Sequence, residues 1–207
     1  SKQGLYDPQF EHDNCGAGFI CSLQGKKTND IIHKALDILD CLEHRGAVSA
    51  DGKTGDGAGI LIEIPHDFLK KQCDFDLPKL HEYAVGMVFL PKKENQRTYC
   101  VGVLESEIKN QGLEVLGWRN VPVNHGVVGN IAALTEPHIM QVFVGRGSNE
   151  LSDYNFNIKL YCARKIAEHT ISVSKLSQSS YFYLPSFSTH TLIYKGLLTP
   201  KDIKGYY

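Results

Sequence analysis

Long apolar runs are missing from this chain. No stretch approaches the ~18 consecutive apolar residues that a membrane-spanning helix needs, so no such helix is expected. The N-terminus has no basic segment followed by an apolar one, and it does not read as a secretory signal. An excess of either charge is missing as well. Lys and Arg number 22 against 23 Asp and Glu, for a formal net charge of −1. That balance gives no reason to expect nucleic acid or an acidic membrane surface as partner. Paired cysteines are also absent. The six cysteines, Cys15, Cys21, Cys41, Cys73, Cys100 and Cys162, form no C-x-x-C pair, which argues against a zinc or cluster site. Without an export signal the expected setting is the cytosol, with the non-catalytic thiols reduced. An even cysteine count also permits disulfides. There is no internal repeat and no low-complexity tract.

What is present is an ordinary globular composition. The chain has 207 residues, 42% of them hydrophobic, enough for one domain with a core or for part of a larger one. Cys15–Leu23 reads as a strand, with Gly16 and Gly18 allowing close approach of backbone or ligand. Thr28 is placed to cap a helix running to about Glu43, whose apolar face is Ile32, Ala35, Leu36, Leu39 and Leu42. Gly46 ends that helix, which delivers His44 and Arg45 to its terminus. Residues 50–59 hold four glycines and two aspartates and form a loop.

Beyond that loop, strands are expected over Ala58–Ile64, Tyr83–Leu90, Leu113–Val121 and Ile139–Val144. Helices are expected near Asp67–Cys73, over Glu94–Asn110, near Val127–Leu134 and over Asp153–Val173. In the second of these, Tyr99, Val103, Leu104 and Ile108 form the core side. Ser180–Leu184 and Thr191–Lys195 look like a strand pair, with Tyr181, Phe182 and Tyr183 in the strand core. Thr199-Pro200 is the cap and first position of a last helix. Periodicity alone yields a mixed α and β fold, with several strands suited to antiparallel pairing.

The stretch carrying chemistry is Asn14-Cys15-Gly16-Ala17-Gly18. Cleavage between Asn14 and Cys15 would make residues 1–14 a propeptide and Cys15 the first residue of the mature domain. A terminal cysteine carries a thiol nucleophile and an α-amine that serves as its base, so no separate histidine is needed. The amine's reference pKa of about 7.7–8.0 suits that role. While Asn14 remains attached, the same nitrogen is an amide and cannot accept a proton. The alternative is that Cys15 is one more small hydrophobe of the core. Arg45 lies thirty residues beyond Cys15. Its guanidinium is always charged and planar, fit to hold substrate or the thiol end of a site, or simply to cap helix carbonyls. His44 is expected to be structural. Gly55-Asp56-Gly57-Ala58-Gly59 lacks the Lys-Ser/Thr of a phosphate loop and the spacing of a dinucleotide fingerprint. It reads as a tight loop near the active site, with Asp56 a less favoured candidate for touching substrate.

These segments resemble a family. Gly4-Leu5-Tyr6-Asp7-Pro8, Phe10-Glu11-His12-Asp13 and Cys15-Gly16-Ala17-Gly18-Phe19 are similar to the start of glutamate synthase large chains, within the class II, N-terminal-nucleophile glutamine amidotransferases. Cys41-Leu42-Glu43-His44-Arg45-Gly46, Thr54-Gly55-Asp56-Gly57-Ala58-Gly59, Gly117-Trp118-Arg119-Asn120-Val121-Pro122-Val123 and Tyr194-Lys195-Gly196-Leu197-Leu198-Thr199 follow in the same order. The resemblance implies an α+β fold, the four-layer αββα sandwich of N-terminal-nucleophile hydrolases. It implies Cys15 as nucleophile on L-glutamine, Arg45 as a substrate-binding residue, and ammonia passed to 2-oxoglutarate. It places a flavin (FMN) and an iron–sulfur cluster elsewhere in the large chain, with no cofactor in this segment. It also implies a small electron-donating subunit or ferredoxin as partner.

Another class II amidotransferase, or a non-catalytic module of the same fold, are the competing readings. The family's His-Asn-Gly oxyanion motif, Arg-Phe-Ser-Thr stretch and later aspartate are not found in residues 1–207. Residues 15–207 are therefore expected to be the N-terminal part of the glutaminase domain, and to be inactive alone.

Overall fold

The computed structural model describes residue 4 and residues 15–147 and 150–207. The expected propeptide lies outside the described residues except for Gly4, as do Ser148 and Asn149 of the polar loop after residue 145. The architecture is mixed α and β, with two antiparallel sheets.

The larger sheet is built on β2 (Tyr83–Leu90) and β4 (His138–Gly145), which pair in unbroken register from Tyr83 with Gly145 to Leu90 with His138. β3 (Glu114–Asn120) adds outside β4 and β5 (Tyr183–Ser188) outside β2. The smaller sheet pairs β1 (Ala58–Glu63) with β6 (Thr191–Gly196). Alternation along β2 shows why the strand reads as a continuous apolar run. Ala84, Val88 and Leu90 point into one cluster, and Tyr83, Val85 and Met87 into another. A strand apolar on both faces is one buried on both.

The first cluster lies against α3 (Glu94–Asn110) and α5 (Asp153–Ser172). α5 contributes Phe156, Leu160, Ala163, Ala167 and Ile171, all fully buried, at the three- and four-residue spacing of one helix face. Ser152 caps the helix, its hydroxyl accepting from the Asn155 N–H at 3.3 Å. The second cluster joins the odd face of β2 to Leu192 of β6, Leu36 of α1 (Asn29–Cys41), Leu69 of α2 (His66–Gln72), and Ile203 and Tyr206 of α6 (Pro200–Tyr206).

Four expectations are corrected. Residues 15–23 form no strand. A strand needs a neighbour's hydrogen-bonding ladder, and no described strand runs beside them. Phe19 and Leu23 are 90% and 99% exposed. β5 and β6 are not paired with each other, because the chain passes from one sheet to the other at Thr189-His190. The Ser188 hydroxyl accepts from the N–H groups of His190 and Thr191 at 3.1 and 3.4 Å, shaping that crossing. Tyr99 is exposed, and the buried line of α3 is Gln96, Cys100, Leu104 and Ile108. Of the three adjacent aromatics, only Phe182 is buried. Tyr181 lies in a 3-10 turn and Tyr183 carries the Lys195 ammonium 4.7 Å from its ring centre.

Candidate functional site

Helix α1 ends at Cys41, and residues 43–45 continue as one 3-10 turn. The Arg45 N–H donates to the Leu42 carbonyl (2.8 Å) and the Gly46 N–H to the Glu43 carbonyl (3.1 Å). His44 donates from Nδ1 to the Cys41 carbonyl at 3.0 Å, the structural role expected of it. Glu43 pairs with Lys201 of α6 at 2.7 Å, tying the turn to that helix. Thr28 occupies the N-cap position of α1, without a side-chain cap hydrogen bond.

The exposed thiol of Cys15 opens a segment lying along this helix end. A methyl group placed on Gly16 would come within 3.3 Å of Arg45 Cβ and Cγ and 3.1 Å of Leu42 Cδ2. The two residues singled out in the sequence, Cys15 and Arg45, are thus brought to the same helix terminus.

The loop after Arg45 is more ordered than its glycine content suggests. Val48 and Gly55 form an antiparallel bridge, and the Asp56 N–H donates to the Ala47 carbonyl (3.0 Å). Asp51 organises the turn. It accepts from the Thr54 hydroxyl (2.6 Å), the Thr54 N–H (2.8 Å), the Lys53 N–H (3.0 Å) and the Ile131 N–H of α4 (Asn130–Thr135) at 3.1 Å. The Thr54 hydroxyl and then the backbone donors hold the Asp51 carboxyl well below the usual carboxylate range. Asp56 Oδ1 lies 3.3 Å from where a side chain on Gly46 would begin, so the loop returns next to Arg45. An open cleft of about 500 Å³ runs on from Asp56 over Gly59 and Leu61 of β1 and Ile193 and Lys195 of β6.

A second polar cluster was not visible in the sequence. Glu136, 9% exposed, accepts from the Tyr206 hydroxyl (2.9 Å) and from His125 Nδ1 (2.8 Å). Burial first, and then this carboxylate, push the Tyr206 phenol far up. Its members lie at positions 125, 136 and 206, a separation that no local motif marks. Among the described residues no group of three or more His, Cys, Asp and Glu is placed to hold a metal ion, so no described cysteines are assembled to ligate an iron–sulfur cluster. No described helix is long and apolar enough to cross a membrane.

Residues 15–207 match the family described as glutamine amidotransferases class-II. The chain belongs to that family. This class-II glutamine amidotransferase domain is homologous over its full length to glutamate synthase large chains. It is 43% identical over 206 residues to the glutamate synthase (NADPH) large chain of Bacillus subtilis, covering 99% of this chain and 13% of that one. It is 40% identical to the glutamate synthase (NADH) of Saccharomyces cerevisiae, covering 100% of this chain and 10% of the relative. To the ferredoxin-dependent glutamate synthase 2, chloroplastic, of Arabidopsis thaliana it is 38% identical, covering 98% and 12%. The amidotransferase domain thus spans 10–13% of the length of these relatives.

Proposed function

We propose that this chain is the glutaminase part of a glutamate synthase, with Cys15 as its nucleophile and Arg45 as a substrate-binding residue. The observation that carries the reading is the start of the family match. It begins at Cys15, the residue whose segment lies against Arg45. In the reaction proposed, the Cys15 thiolate attacks the side-chain amide carbon of L-glutamine. The tetrahedral oxyanion collapses, the carbon–nitrogen bond breaks, and the nitrogen leaves as ammonia after taking up a proton. Water then cleaves the thioester, giving glutamate and restoring the thiol. The α-amine of a terminal Cys15 carries the proton in both steps.

This requires removal of residues 1–14 as a propeptide. The complete domain is proposed to be the four-layer αββα sandwich, to which the two sheets described above would contribute. Similarity to glutamate synthases supports delivery of the ammonia to 2-oxoglutarate. FMN, an iron–sulfur cluster and an electron-donating subunit or ferredoxin would act outside residues 15–207, and none of the steps above passes through them.

The test uses the natural full-length protein, incubated with the glutamine-analogue electrophile 6-diazo-5-oxo-L-norleucine and weighed intact. One adduct is expected, on Cys15, in a chain that starts at Cys15, with glutamine hydrolysis lost in parallel and absent in Cys15→Ala. Full glutaminase activity with residues 1–14 still attached overturns the scheme. No adduct in the full-length protein favours the non-catalytic module.

A further inference from the structure

Backbone conformation does not account for glycine at positions 16 and 18. Neither is among the residues with positive φ, so neither is needed for left-handed backbone. Both lie against one ridge of α1, Ile38 and Leu42, which continues into Arg45. The segment runs antiparallel to that ridge, with Gly16 opposite Leu42 and Arg45 and Gly18 opposite Ile38. The two contacts differ in kind. A Cβ on Gly16 would meet the tip of the Leu42 side chain at 3.1 Å, which can swing aside, and Arg45 Cβ and Cγ at 3.3 Å, which need give only slightly. A Cβ on Gly18 would lie 2.5 Å from Ile38 Cγ2. That methyl branches directly from Cβ in a helix, where one χ1 rotamer dominates, so it cannot move without the helix moving. Among the described residues the segment has no strand partner, and Phe19 is 90% exposed.

We infer that Ile38 and Leu42 are positioning residues for the Cys15 thiol: they form the seat on which Gly16 and Gly18 rest, and so set where the sulphur stands relative to Arg45. The inference rests on the proposed role of Cys15. A methyl on Gly18 must lift the segment by the better part of an ångström, three residues from the sulphur. A misplacement of about 1 Å at a reacting group costs up to ~10²-fold in rate.

The test is a double-mutant cycle in the natural full-length protein, reading glutamine turnover and the rate of Cys15 alkylation by 6-diazo-5-oxo-L-norleucine. Gly18→Ala is expected to lower both by about tenfold to a hundredfold, mainly in kcat. Ile38→Ala, which removes the seat, lowers both by a smaller factor. The pair Gly18→Ala/Ile38→Ala recovers most of the Gly18→Ala loss, because the new methyl takes the place of the lost one. Gly16→Ala has a milder effect that Ile38→Ala does not rescue. A merely structural role would lower the folded fraction and leave kcat and the alkylation rate per folded molecule at the parent value, whereas sites that do not touch would give losses that add. Additive losses, or Gly18→Ala at the parent rate, overturn the seat. If Gly18→Ala does not fold, the pair decides: folded and active supports the seat, and unfolded or inactive overturns it. If Cys15→Ala retains glutaminase activity, it is the reading of Cys15 that fails instead.

Discussion

Gly55 shows how tightly a single residue can bind the candidate site to the rest of the molecule. It is buried, and a Cβ there would lie 2.2 Å from the Leu198 carbonyl oxygen and 2.5 Å from the Thr199 nitrogen. Backbone atoms cannot rotate out of the way, so Gly55→Ala is expected to cost about 3 kcal/mol, the upper part of the overpacking range, measured as a lowered denaturant midpoint. Asp51 holds the other end of the same loop. Its carboxyl titrates lower in the folded protein than its ordinary value near 4, chiefly through the Thr54 hydroxyl and the Thr54 and Lys53 N–H groups. The folded state therefore prefers the charged form. The stabilisation is full above about pH 4, where the unfolded chain is ionised too, and is withdrawn as pH falls below that. Protection of the Thr54 and Ile131 amides, relative to their intrinsic exchange rates, should fall on acidification below about pH 4 in the parent protein. In Asp51→Asn that protection should be low at all pH values. Exchange that is pH-independent after correction for the intrinsic rate would show that the Asp51 turn is not held by its charge.

At the scale of elements, α6 is held by its first turn. Thr199 and Asp202 form a reciprocal capping box, with the Thr199 hydroxyl 2.7 Å from the Asp202 carboxylate and Pro200 at the first helical position. Thr199→Ala is expected to cost about 1 kcal/mol, read as a melting-temperature shift, and Thr199→Ser to restore most of it. This helix was legible because its start signals lie within four consecutive residues. So were α5 and β2, whose burial follows their own periodicity. The Cys15 segment misled because an apolar run says only that a residue prefers burial, not that a strand lies beside it. β5 and β6 misled for the same reason: two strand-like runs close in sequence suggest a pair, but the Ser188 hydroxyl and the crossing at Thr189-His190 decide which sheet each strand joins. In α3 the apolar pattern is weak, and Gln96 is buried through its bonds to Ser177 (2.8 Å) and the Gln178 N–H (2.9 Å), partners 81 and 82 residues away. Cys15 and Arg45 were legible as residue types in a resembling pattern. Ile38, Asp51 and Glu136 were not, because their partners are set by the tertiary fold.

The whole molecule separates stability from the candidate site by placing two cores on opposite faces of one sheet. Leu160 of α5 is buried in the cluster on the helix-covered face, and Leu36 of α1 in the cluster on the other. The Cys15 segment lies against Ile38 of α1, the helix whose Leu36 belongs to the second cluster. Leu→Ala at either position removes the same three heavy atoms and is expected to cost about 2–5 kcal/mol, with Leu36 at the low end because it is 8% exposed while Leu160 is fully enclosed. The consequences at the thiol should differ. In Leu160→Ala the folded fraction keeps α1 seated against β1 and α6, so the alkylation rate of Cys15 per folded molecule should match the parent. In Leu36→Ala the helix loses its one buried side chain and with it the firm footing of Ile38 and Leu42. The alkylation rate should then fall even where the protein remains folded. Equal effects of the two substitutions on Cys15, once normalised to folded protein, would mean that the sheet transmits strain between its faces and that the two cores act as one.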